Sequence, residues 1–244
     1  MKTLKLLLLF VLLASHCFSQ SKEELFEAGK RDLEEGWPIT AVDYFSDAIA
    51  LDSTFAWAYY YRGLAYLKGA RSDRYTPAVN DFYKCIKLQP DSNFWQAYFY
   101  IADKKLFPDT SALNYYSRAI ELNPTNHLLY QKRGFLKQWN RMFSEALADY
   151  DKAIHLNKDD FLTYDFKASI EIQMGNYIAA LKDINKAIEL NPDYSKLYFD
   201  KTEVLCRLNQ VKAAKKNHKT ARLKFEKPGE SLHCSCCETV RKQE

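Results

Sequence analysis

A six-residue phrase recurs along this chain. AIELNP occupies 119–124 and again 187–192, and weaker copies begin at Ala48 (AIALDS), Cys85 (CIKLQP) and Ala153 (AIHLNK). The starts fall 37, 34, 34 and 34 residues apart. A period near 34 predicts stacked helix pairs, because a single pair cannot bury its apolar face and must lean on its neighbours. The three extra residues of the first interval fall around GARSDR at 69–74, a polar stretch between two helices where an insertion disturbs no packing.

One unit, Phe161 to Tyr194, shows why the length works. Two apolar-periodic segments of about a dozen residues break near Gly175 and Asn176. Tyr164, Ala168 and Glu171 share a face of the first; Ala180, Ile184 and Ala187 line a stripe of the second. Alanine at such points lets two helix axes approach closely. Pro90, Pro124 and Pro192 are expected to stop second helices, and Pro38 and Pro77 to sit near their starts, where a missing N–H costs little.

With these residues in view the chain resembles the tetratricopeptide repeat family. Six registers begin near Lys22, Ala56, Asn93, His127, Phe161 and Ser195, giving repeats at 22–55, 56–92, 93–126, 127–160, 161–194 and 195–228. The small residue of the first helix is Gly29, Gly63, Gly134 or Ala168. The second-helix pairs are Ala41/Ala48, Ala112/Ala119, Ala146/Ala153, Ala180/Ala187 and Ala214/Ala221, with Ala78/Cys85 in the second repeat. A larger side chain stands between each pair: Phe45, Phe82, Tyr116, Tyr150, Ile184 and His218. The resemblance implies an all-α, right-handed α-solenoid. Tyr100 and Pro108 depart from the pattern in the third repeat, whose first helix is expected to shift or shorten. Thr202 and His218 depart in the sixth, which reads as a cap.

Composition agrees with helices. Seven Gly and seven Pro in 244 residues are too few for a loop-rich β-sandwich or a disulfide-knotted scaffold, and 17 Tyr with 15 Phe supply large side chains to pack. A formal net charge of +4 falls short of a dedicated nucleic-acid binder.

The resemblance also implies a concave surface lined by first helices that binds peptides or protein surfaces. The positions facing it are Trp57, Tyr60, Leu64 and Leu67, then Phe94, Ile101, Phe135, Trp139 and Phe199, with polar Gln131, Asp165 and Glu203 among them. Rigid aromatics flanked by polar groups suit apolar anchoring and orientation of a protein or extended peptide partner. The competing reading is that the same side chains fill gaps between neighbouring first helices. The early repeats offer Phe26, Lys30, Tyr60 and Leu64, so the family's Lys/Asn carboxylate clamp is not expected.

The first nineteen residues place Lys2 and Lys5 before an apolar run from Leu6 to Ala14, as in a cleaved secretory leader. Cleavage after Ser19 would begin the mature chain at Gln20, and the expected location is secreted or periplasmic. His16 in front of Cys17 argues against lipid attachment there. A membrane-associated envelope assembly factor, held by lipid on Cys17 or by the acid-free basic stretch from Arg207 to Lys224, is the first alternative. The second is a thiol or metal protein acting through the 229–244 tail, where His233, Cys234, Cys236 and Cys237 cluster. Zinc sites draw ligand pairs from two segments, and no second cluster exists, so a tail able to cross-link is the simpler expectation. Cys85 occupies an alanine slot and reads as core; Cys206 has no clear role. H-E-x-x-H, a glycine-rich phosphate loop and a nucleophile elbow are all missing from the sequence, so neither an enzyme nor a cofactor is expected. Carboxylates are expected on solvated helix exteriors.

Overall fold

The computed structural model describes residues 20–69, 75–104 and 110–225. Among them are twelve α-helices and no strand. The helices divide into two compact units. The first holds α1 (Lys22–Glu35), α2 (Pro38–Leu51), α3 (Ala56–Lys68), α4 (Tyr75–Leu88) and α5 (Trp95–Lys104). The second holds α6 (Ser111–Leu122), α7 (His127–Trp139), α8 (Phe143–Leu156), α9 (Phe161–Gln173), α10 (Tyr177–Leu190), α11 (Ser195–Arg207) and α12 (Val211–Phe225). The third repeat thus gives its first helix to one unit and its second to the other. The leader, Pro108 and the 229–244 tail lie outside the described residues.

Local chemistry sets the helix ends. Ser21 and Glu24 form a reciprocal capping box: the Glu24 N–H donates to Ser21 Oγ at 3.1 Å, and the Ser21 N–H to Glu24 Oε2 at 2.9 Å. Second helices end at short polar turns. The side chains of Asp52, Asn157 and Asn191 accept from the N–H two residues on, at 2.9, 3.1 and 3.2 Å. α10 is therefore already terminated at Leu190, and Pro192 reinforces a stop that the asparagine makes. Pro38 is the first residue of α2, where its missing donor is harmless.

The core is the predicted alanine ladder. All ten second-helix alanines from Ala41/Ala48 to Ala214/Ala221 are buried, as are Ala78 and Cys85. Phe45, Phe82, Tyr150 and Ile184 are fully enclosed between them. The first-helix glycines explain how such large rings fit. A Cβ added to Gly29 would lie 2.7 Å from Phe45 Cε1, and one on Gly63 would lie 2.5 Å from Phe82 Cε1, so hydrogen alone leaves room for the ring. In the fifth repeat Ala168 pairs with the smaller Ile184. Burial of Cys85 pushes its thiol well above the ordinary value and keeps it inert.

Among the described residues α5 runs over Trp95–Lys104. Tyr100 replaces the usual small residue and instead stacks on Phe82 of α4, with centroids 5.7 Å apart and planes 12° apart.

Charge placement departs from expectation. Asp81, Asp149 and Asp183 are buried, and basic residues of first helices reach them. Arg62 grips Asp81 with two N–H groups, both at 2.8 Å, and donates a third bond to Ser46 Oγ of α2 at 3.1 Å. Arg133 repeats the arrangement on Asp149, at 2.9 and 2.6 Å, and on Ser117 of α6 at 3.0 Å. Lys167 bridges Asp151 of α8 at 2.7 Å and Asp183 of α10 at 3.7 Å. Asp81 and Asp149 are inter-helix ties, because the guanidinium fork satisfies both oxygens at once and makes their burial tolerable.

Candidate functional site

In the first unit the predicted groove aromatics close on one another. Trp57 meets Phe94 at 4.7 Å, edge to face, and Tyr60 meets Phe94 at 4.9 Å. The Tyr60 hydroxyl bonds to Gln96 Oε1, and burial raises its pKa above the ordinary phenol. Phe94 and Ile101 are fully enclosed and Tyr60 nearly so, while Trp57 and Leu64 are half-buried. Phe94, Ile101 and Tyr60 thus offer a partner no surface: they are the packing that joins α3 to α5. The placement of large rings where small side chains leave voids between first helices is the physical reason.

The second unit divides its predicted residues differently. The polar pair is consumed internally. Gln131 is buried and its Nε2 donates to Asp160 Oδ2 at 2.5 Å and to Thr163 Oγ1 at 2.7 Å, tying α7 to α9. Asp165 is buried and accepts from Lys196 Nζ of α11 at 2.6 Å; burial pushes its carboxyl up while Lys196 opposes the shift. Neither remains available to orient a ligand. Phe135 is half-buried, 5.2 Å from Phe166 of α9.

Trp139 behaves otherwise, being 61% exposed at the end of α7. Leu128, eleven residues earlier on the same helix, is also exposed, and Phe135 lies between them in register. Leu128 occupies the position in its repeat that Trp57 holds in the second, so the repeat register alone could have identified it. On α11, Phe199 is half-buried and Glu203 exposed, with Glu203 Oε1 3.5 Å from Arg207 Nη2. The first helices α7, α9 and α11 lie side by side through the Gln131, Phe135 and Asp165 contacts. Their outward face therefore presents an apolar stripe on α7 and an aromatic and a carboxylate on α11.

Among the described residues no group of three or more His, Cys, Asp or Glu side chains could hold a metal ion. No described helix is long and apolar enough to cross a membrane. The basic side chains Lys212, Lys216, Lys219 and Arg222 of α12 are exposed, and Lys224 is drawn back to Asp193 at 2.9 Å.

Comparison with known proteins bears on the fold. The sequence profile of the tetratricopeptide repeat matches residues 163–194. No curated protein matches the sequence. Three solved structures superpose with a TM-score of 0.61. YrrB, described as a tetratricopeptide repeat protein with an unusual peptide-binding site, is 22% identical over 70% of this chain and 87% of its own. A tetratricopeptide repeat protein from Parabacteroides merdae is 18% identical, over 92% of this chain and 86% of its own. PilW, a type IV pilus biogenesis factor, is 15% identical over 92% of this chain and all of its own. At these identities the likeness is one of fold.

Proposed function

We propose that this chain, which carries a tetratricopeptide repeat at residues 163–194 and shares the fold of tetratricopeptide repeat proteins, is a non-catalytic scaffold that holds a protein or extended peptide against the first-helix face of its second unit. The observation that carries this reading is Trp139. It is a large aromatic that is 61% exposed, on a helix whose Gln131 and Arg133 are engaged by neighbouring helices. Leu128 and Phe135 extend it into an apolar stripe, and Glu203 with Phe199 supplies a second contact point. An exposed Trp in such a stripe has the character of an interface hot spot. The unusual peptide-binding site described for YrrB, a protein of the same fold, supports this reading.

We further propose export through the 1–19 leader, a location in which the disulfide on Cys206 is at home. Mass spectrometry of the mature N-terminus tests this: Gln20 is the expected first residue, and an acylated Cys17 overturns it in favour of membrane anchoring.

The binding reading is tested by panning a displayed peptide library on the native chain. Selected peptides are expected to lose at least about ten-fold in affinity for Trp139→Ala and to keep it for Trp37→Ala, which removes an equally exposed ring from the first unit. Equal affinity for wild type and Trp139→Ala overturns the assignment.

A further inference from the structure

The second helices of the first and last repeats carry opposite charge on the same register face. α12 has six basic residues and no acid. Lys212, Lys216, Lys219 and Leu223 follow one another at helical spacing and are all exposed, Leu223 by 80%, so they form one stripe about 16 Å long. In the register of the repeats this stripe corresponds to positions 39–50 of α2. There Ile39, Asp43 and Asp47 are exposed, Ile39 by 60%, and α2 holds no basic residue.

Neither set of charges is spent inside the fold. Lys137, Lys167 and Lys196 of first helices are tied to Asp149, Asp151 and Asp165. Lys212, Lys216 and Lys219 take no ion pair among the described residues, and neither do Asp43 and Asp47. Two α12 stripes repel each other, as do two α2 stripes, so a contact between copies has to join unlike helices.

The two stripes also match in order and spacing. From its N-terminal end α2 offers Ile39, then Asp43 and Asp47 four and eight residues on. From its C-terminal end α12 offers Leu223, then Lys219 and Lys216 four and seven residues back.

We infer that α12 of one copy docks antiparallel on α2 of a second copy of this chain. Ile39 then meets Leu223, Asp43 meets Lys219 and Asp47 meets Lys216. The apolar pair covers two side chains that a lone copy leaves in water, and the charges fix partner and register. The contact uses second helices, so it goes beyond the partner-binding reading on the first-helix face and leaves that face free.

The test is analytical ultracentrifugation of the full chain. At about 50 mM salt it is expected to associate, and at about 500 mM the association is expected to weaken about ten-fold or more through screening. Lys216→Glu with Lys219→Glu should weaken it to a similar extent, as should Asp43→Lys with Asp47→Lys. Helicity and melting should persist in both, because all four side chains are exposed. An equimolar mixture of the two variants is expected to associate again, since each supplies the charge that the other has reversed. Carbodiimide cross-linking of mixed 15N-labelled and unlabelled copies should join the α2 and α12 peptides across isotopes. A chain that stays monomeric at low salt overturns the inference, including one that instead sediments with phosphatidylglycerol vesicles. So does a mixture that associates no better than either variant alone, or a cross-link confined to single copies.

Discussion

A Cβ on Gly134 would lie 2.9 Å from Cε1 of Tyr150 and 3.3 Å from the carbonyl oxygen of Ala146. Tyr150 cannot retreat, because it is fully buried and its hydroxyl donates to Gln138 Oε1 at 2.8 Å. The same relationship joins Gly29 to Phe45 and Gly63 to Phe82, and it relaxes in the fifth repeat, where Ala168 is paired with Ile184. Small and large residues on the two helices of a pair are thus matched by volume.

Gly134→Ala is therefore expected to destabilise the second unit by about 1–3 kcal/mol through overpacking, read as a lower midpoint in urea with unchanged helicity. Adding Tyr150→Ile, which copies the fifth repeat, should recover part of the loss. An additive double variant would show that the two residues do not share one volume constraint.

The turn between paired helices stores strain at one register. Gly36 and Gly175 adopt positive φ there, at 92° and 80°, and the fourth repeat places Arg141 at 60° in the same slot. Only glycine holds this conformation without a Cβ clash. Arg141→Gly is expected to raise stability by about 1 kcal/mol, seen as a higher melting temperature, whereas Gly175→Ala should lower it.

Buried and exposed aromatics should separate cleanly in thermal melts. Phe94→Ala empties a fully enclosed site beneath Trp57 and Tyr60 and is expected to cost about 3–5 kcal/mol. Trp139→Ala removes a ring that is mostly solvated and should stay within about 1 kcal/mol of wild type. Similar losses for the two would show that Trp139 is a packing residue.

Lys201 predicts a pH dependence. It stands one repeat after Lys167, but the equivalents of Asp151 and Asp183 are Asn185 and Asn217, so it lacks the two acidic partners that Lys167 has. Burial lowers its pKa below the ordinary 10.5. The unfolded chain then binds the proton more tightly, so the lysine's contribution to stability rises as pH climbs from its lowered value to 10.5, and is an unrelieved cost below that window. Lys201→Met is expected to melt higher than wild type at pH 7, with the gap narrowing toward pH 10.5. A gap that is constant with pH would mean that the charge is not the cause.

Much of this protein is legible along the chain. The alanine spacing and the intervening Phe45, Tyr150 and Ile184 follow from residue volume and helical period, properties that each repeat carries locally. Position on a first helix proved too coarse to identify a binding surface. Phe94, Gln131 and Asp165 occupy outward registers but are claimed by Trp57, Thr163 and Lys196 of neighbouring helices, while Leu128 stays exposed. The buried acids escaped for the same reason: Asp81 and Asp149 look solvated until Arg62 and Arg133 arrive from another helix. Sequence alone therefore determined the hairpin, its length and its ladder of small residues, since these depend on contacts within one period. Only the tertiary structure decided which side chains stay in water, because that depends on which neighbouring helix reaches each of them.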